Sequence, residues 1–92
     1  MNVTVKYMSQ LKAAVGVGQE QLPLDAPCSI QELLNQLLDR HGDSLRRALC
    51  DGAGNIQKTI LVCVGDRQVP LDDPELVGDG DEVTLLTPIS GG

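Results

Sequence analysis

Ninety-two residues bound the chain to one domain with a single modest core, which leaves little room for a deep catalytic cleft. Thirteen acidic against seven basic residues give a formal charge of −6, the wrong sign for binding a phosphate backbone and the right one for a basic protein partner. No apolar run approaches the ~18 residues of a membrane span, so neither a nucleic-acid nor a membrane partner is expected.

The opening NVTVKYM alternates Val3, Val5 and Tyr7 against Thr4, Lys6 and Met8, the period of a half-buried strand rather than the continuous apolar core of a signal peptide. Breaks at Gly16 and Gly18, followed by Leu22 and Leu24, predict a turn and a second strand in hairpin relation. The clearest element follows. In CSIQELLNQLLDRHG, Ile30, Leu33, Leu34, Leu37 and Leu38 recur at helical spacing. Ser29 and Glu32 form an S-x-x-E capping box in which each side chain satisfies a free backbone donor, and Gly42 ends the helix. A short second helix is expected to bury Leu45, Leu49 and Ala48 before the glycines at 52 and 54. TILVCVGDRQVPL is apolar on both faces, as a central strand is, with Gly65-Asp66 turning into a short strand around Val69. A turn-rich stretch then leads to a last strand in which Val83 and Leu85 alternate with Thr84 and Leu86.

This order predicts an α+β two-layer domain, a mixed sheet of four to five strands packed on one main helix, with the first and last strands adjacent in its middle. The domain covers residues 1–87, and residues 88–92 are a flexible C-terminal tail.

Within residues 1–87 no catalytic constellation stands out. His41, the single histidine, falls in the last helical turn, where the helix dipole favours a cation, and is read as a cap or surface residue. Cys63 lies in an apolar strand and is assigned to the core. Cys28 and Cys50 lack a basic neighbour that would activate a thiolate. Three cysteines without a C-x-x-C pair suggest neither a disulfide framework nor a zinc site, and a reducing cytoplasm is the expected setting. The carboxylates of residues 72–82 do not match a calcium loop and suit turns, solvation and a share in a recognition face. Gly16 and Gly18 lack the lysine of a phosphate-binding loop. No metal is expected.

The last residues, PISGG, are the informative ones. Pro88 has no N–H and ends sheet pairing, Ile89 offers one apolar anchor, and Ser90, Gly91 and Gly92 are narrow enough to thread a slot in another protein. Five residues reach at most roughly 17 Å at ~3.3–3.6 Å each. Pro88, Ile89, Ser90 and Gly91 are therefore assigned to partner binding, and the Gly92 α-carboxylate is the reactive group. Residues 90–92 are expected to be poorly ordered in the free protein.

Three stretches, VKYMSQLKAAVG, ILVCVGDRQV and above all DGDEVTLLTPISGG, make the chain resemble the MoaD/ThiS family of ubiquitin-like sulfur carriers over essentially its whole length. The resemblance implies the β-grasp fold and a carrier that is not itself an enzyme. It implies that an adenylating enzyme, similar to those that activate ubiquitin, uses ATP to activate Gly92, and that a persulfide donor then replaces AMP and leaves a thiocarboxylate. The carrier itself would bind no cofactor. The acceptor it implies is the large subunit of molybdopterin synthase; the alternatives are sulfur delivery to cysteine, thiamine or tRNA thiolation pathways, conjugation to proteins, or a β-grasp interaction module without sulfur chemistry. Met8 stands where such carriers often have an aromatic residue.

Overall fold

The computed structural model describes residues 1–87. Its strands are β1 (Asn2–Tyr7), β2 (Gln19–Pro23), β3 (Leu61–Val64), β4 (Arg67–Val69) and β5 (Glu82–Leu86), and its helices are α1 (Gln10–Val15), α2 (Ile30–His41) and α3 (Asp43–Leu49). The sheet order is β2-β1-β5-β3-β4, with β1 and β5 parallel and every other pair antiparallel. The first and last strands therefore lie side by side in the middle, as expected from their patterning.

Strand alternation decides which side is buried. Val3, Val5, Tyr7, Leu22, Val62, Val69, Val83 and Leu85 all point into one cluster with the buried helix residues. From α2 that cluster takes Ile30, Leu33, Leu34, Leu37 and Leu38, the whole predicted stripe. Removing such a side chain, as in Leu37→Ala, costs about 2–5 kcal/mol in comparable cores. The other sheet face carries no helix among the described residues.

Ser29 caps α2 by accepting the Glu32 N–H at 3.2 Å. The reciprocal half of the predicted box differs: the Glu32 carboxylate accepts from the Ser29 hydroxyl at 3.1 Å, so the helix start is closed by one side chain. Gly42, at φ 68°, donates its N–H to Leu38 O at 2.8 Å and lets α3 start at the next residue. A residue with a Cβ adopts that backbone reluctantly.

The predicted β1–β2 hairpin connection is instead a helix. Residues 10–15 form α1, which buries Leu11 against the core and packs on α3. Gly16, at φ 91°, closes it, and the Tyr7 N–H reaches Gly18 O at 2.8 Å to begin the strand pairing. Six residues with one fully buried side chain are too short for a helical period to register. The helical layer thus holds three helices: the expected main helix, the expected short one that buries Leu45 and Leu49, and α1.

Candidate functional site

β5 has a hydrogen-bonded neighbour on each side, β1 on one and β3 on the other. At its far end Leu86 pairs with Leu61, the Met8 N–H donates to Leu85 O at 3.0 Å, and Thr87 is buried. The chain therefore leaves the sheet from a rigid central strand, at the end marked by Met8 and Leu61. The predicted site residues Pro88, Ile89, Ser90, Gly91 and Gly92 lie outside the described residues, as does the expectation of weak order over 90–92.

Next to that exit is the helix-free face of the sheet. The register places Cys63 opposite Thr84 and Leu61 opposite Leu86, so these four form one contiguous, half-exposed patch on β3 and β5. Met8 stands half-exposed just beyond the end of β1. Lys6 and Glu82 flank the patch as a solvated ion pair at 3.1 Å. Cys63 is thus not a core residue. Strand β3 alternates, with Ile60 and Val62 pointing inward and Leu61 and Cys63 outward, and an unbroken apolar run conceals that alternation. Its outward apolar residues make it a candidate interaction face, since a solvated sheet face ordinarily carries polar side chains.

A polar cluster that sequence reasoning did not assemble joins β1, β2 and α2. Glu20 Oε2 accepts from the Tyr7 hydroxyl and from His41 Nε2, both at 2.5 Å, while Arg40 Nε lies 2.8 Å from Glu20 Oε1. His41 does sit in the last turn of α2, but its ring is half-buried and edge-on to Tyr7 rather than free at the surface. Burial, reinforced by the Glu20 carboxylate, pushes the Tyr7 hydroxyl well above its ordinary range. Burial alone works upward on Glu20, yet the hydrogen bonds from Tyr7 and His41 and the charges of His41 and Arg40 outweigh it and hold the carboxyl below its ordinary value. With both oxygens occupied and a guanidinium alongside, Glu20 is fit to hold three elements together rather than to bind a cation or move a proton.

The rest of the described chain offers no competing chemistry. No group of three potential metal ligands occurs among the described residues. Cys28 and Cys50 are buried, and burial, with the Glu32 charge second, pushes the Cys28 thiol up and away from reactivity. What the geometry presents is a rigid platform: an apolar face beside a chain segment leaving its central strand.

A mixed five-stranded sheet with its helices on one face and its C-terminal strand in the centre is the architecture of ubiquitin-like β-grasp proteins. Among solved structures, the chain is similar to SAMP1 from Haloferax volcanii, with a TM-score of 0.84 and 23% identity over 100% of both chains. It is also similar to a chain of the Amycolatopsis orientalis BexX/CysO complex, with a TM-score of 0.68 and 26% identity over 98% of this chain and 99% of that one. The ThiS family model matches residues 5–92, and the chain belongs to that family of ubiquitin-like sulfur carriers. A curated relative, the molybdopterin synthase sulfur carrier subunit of Chlamydomonas reinhardtii, is 26% identical over the full length of both chains.

Proposed function

We propose that this protein carries sulfur on the α-carboxyl group of Gly92 for molybdopterin synthesis, with residues 1–87 as the docking body and residues 88–92 as the inserted segment. The observation that carries the reading is the placement of β5, held on both sides and followed after Thr87 by Pro-Ile-Ser-Gly-Gly. A central strand cannot yield when the segment beyond it is drawn into a slot, so the body's docking geometry fixes where the carboxylate arrives.

In this reading the Gly92 carboxylate attacks the α-phosphate of ATP in a partner adenylating enzyme and releases pyrophosphate. The outer sulfur of a persulfide then displaces AMP to give an acyl disulfide, and a thiol cleaves the S–S bond to leave the thiocarboxylate. The patch of Leu61, Cys63, Thr84 and Leu86, with Met8 beside it, is the surface the partner covers during these steps. An acceptor of the molybdopterin synthase large-subunit type takes the sulfur. The full-length match to a molybdopterin synthase sulfur carrier subunit supports that branch.

The test is mass spectrometry of the C-terminal peptide after co-expression with an adenylating enzyme and a persulfide donor. Replacement of one oxygen by sulfur at Gly92 is expected, and deletion of Gly92 should abolish it. An unmodified C-terminus under conditions that load an established carrier would refute the proposal.

A further inference from the structure

At the end of the sheet opposite the exit lies a groove of about 200 Å³. It is bounded below by the half-buried Val64 at the end of β3, with Ile30 at the start of α2 and Val77, whose N–H and C=O both pair with Cys28, buried beneath. Val64 faces Val83, near the beginning of β5, whereas the tail departs from the strand's other end; at ~3.4 Å per residue, roughly 10 Å of strand separates Val83 from Leu86. The β4–β5 connection forms the wall and projects Leu76, which is 60% exposed and the most exposed of the large hydrophobic residues among those described.

This wall is built and held. Gly78 N–H donates to Asp81 Oδ2 at 2.9 Å, Asn2 N–H to Asp79 Oδ1 at 2.9 Å, and Arg67 meets Glu75 at 2.9 Å. The last of these pairs is about two-thirds exposed and so exchanges partners readily. Residues 66–82 hold seven of the chain's thirteen carboxylates and, of its basic residues, only Arg67. The remaining acidic and basic residues balance at six each, so the net charge of −6 resides entirely on this segment.

A projecting leucine beside the half-buried Val64 and a concentrated negative rim are complementary to one kind of occupant. We infer that this groove is a second docking surface, which takes a partner polypeptide segment bearing a lysine or arginine next to an aliphatic side chain. The aliphatic group packs on Leu76 and the half-buried Val64, and the cation exchanges with Arg67 for Glu75 or faces Asp73. Because the groove and Thr87 lie at opposite ends of β5, a protein can hold the carrier by the groove while the C-terminus is engaged elsewhere. The rim also steers such partners toward this end before contact.

The inference does not depend on sulfur chemistry, and its test is separate from that of the proposed function. The probe is the capped peptide Gly-Leu-Lys-Arg-Leu-Gly, titrated into the full-length, isotope-labelled chain and followed by amide chemical shifts, with Gly-Leu-Glu-Glu-Leu-Gly as the control. Shifts are expected at Arg67, Glu75, Leu76 and Val77, weakening as salt is raised, with no matching response to the acidic peptide. Leu76→Ser and Glu75→Lys change exposed side chains and should leave the remaining amide spectrum intact, while each weakens binding by roughly tenfold or more. Shifts centred on Leu61 and Leu86, an equal response to the acidic peptide, or no response at millimolar peptide would each overturn it. Concentration-dependent shifts at the groove in the absence of peptide would also overturn it, by assigning the surface to a second copy of the chain.

Discussion

Replacing Glu20 with glutamine preserves the shape of a side chain that joins three elements and removes the charge on which its bonds depend. In the native protein the carboxylate accepts from Tyr7 and from His41 and pairs with Arg40, with only 12% of the Glu20 side chain exposed. Arg40 is itself 46% exposed, and solvent screens most of its share. The two charge-assisted hydrogen bonds dominate, and bonds of that kind contribute about 1.5–3 kcal/mol each when the acceptor is ionised. An amide oxygen still accepts one of them, so Glu20→Gln should destabilise the fold by about 1–3 kcal/mol at neutral pH. A drop in Tm of roughly 5 °C or more corresponds to that loss in a domain of this size. The pH dependence has a definite sign. Glu20 is held below its ordinary value of 4.5 in the folded state, so its contribution is complete above that pH and is lost as pH falls through the lower folded value. Urea denaturation of both proteins from pH 7 to pH 3 should therefore show a gap that is constant down to about pH 5 and narrows below it. A gap of equal size at pH 3, or none at pH 7, would refute the assignment of Glu20 as an ionised tie. Sulfur loading of Glu20→Gln at a temperature where it remains folded should match the native protein, because the cluster acts on the platform and not on the reacting carboxyl group.

Leu86→Asp places a charge on the half-exposed patch beside the exit and should lower the rate of adenylation at subsaturating carrier by tenfold or more with little change in Tm; an unchanged rate would remove the helix-free face from the docking surface. Gly91→Val should leave denaturation curves unaltered and block formation of the C-terminal acyl-adenylate, read by pyrophosphate release; unimpaired activation would show that the slot is not narrow. Ser29→Ala deletes the side chain that accepts the Glu32 N–H and should cost about 0.5–2 kcal/mol in urea denaturation, with sulfur transfer unaffected once the protein is folded.

Much of the body was legible one element at a time because local periodicity has a direct physical meaning. Val3, Val5 and Tyr7 alternate because a strand sends successive side chains to opposite faces, and all three are buried. Ile30 to Leu38 recur at three and four because one helical face is covered, and Ser29 and Gly42 bound that helix by satisfying its free backbone groups. α1 was missed for the same reason in reverse. With one fully buried residue in six, Gln10–Val15 has no period to display, and it is helical because Leu11 fills the space between the end of β1 and α3.

By itself, the sequence determined a two-layer α+β domain, the buried stripe of its main helix, and a terminal Ser-Gly-Gly with almost no side-chain bulk. Each of these follows from neighbours along the chain or from patterns repeating within a few residues. Tertiary structure alone decided that Tyr7, Glu20 and His41 meet on one carboxylate, that Leu61 and Cys63 face outward from a run apolar throughout, and that Leu76 overhangs a groove beside the chain's whole net charge. Those juxtapositions join residues separated by up to several tens of positions. They exist only once loop closure and sheet pairing have chosen which faces meet, and no local period records that choice.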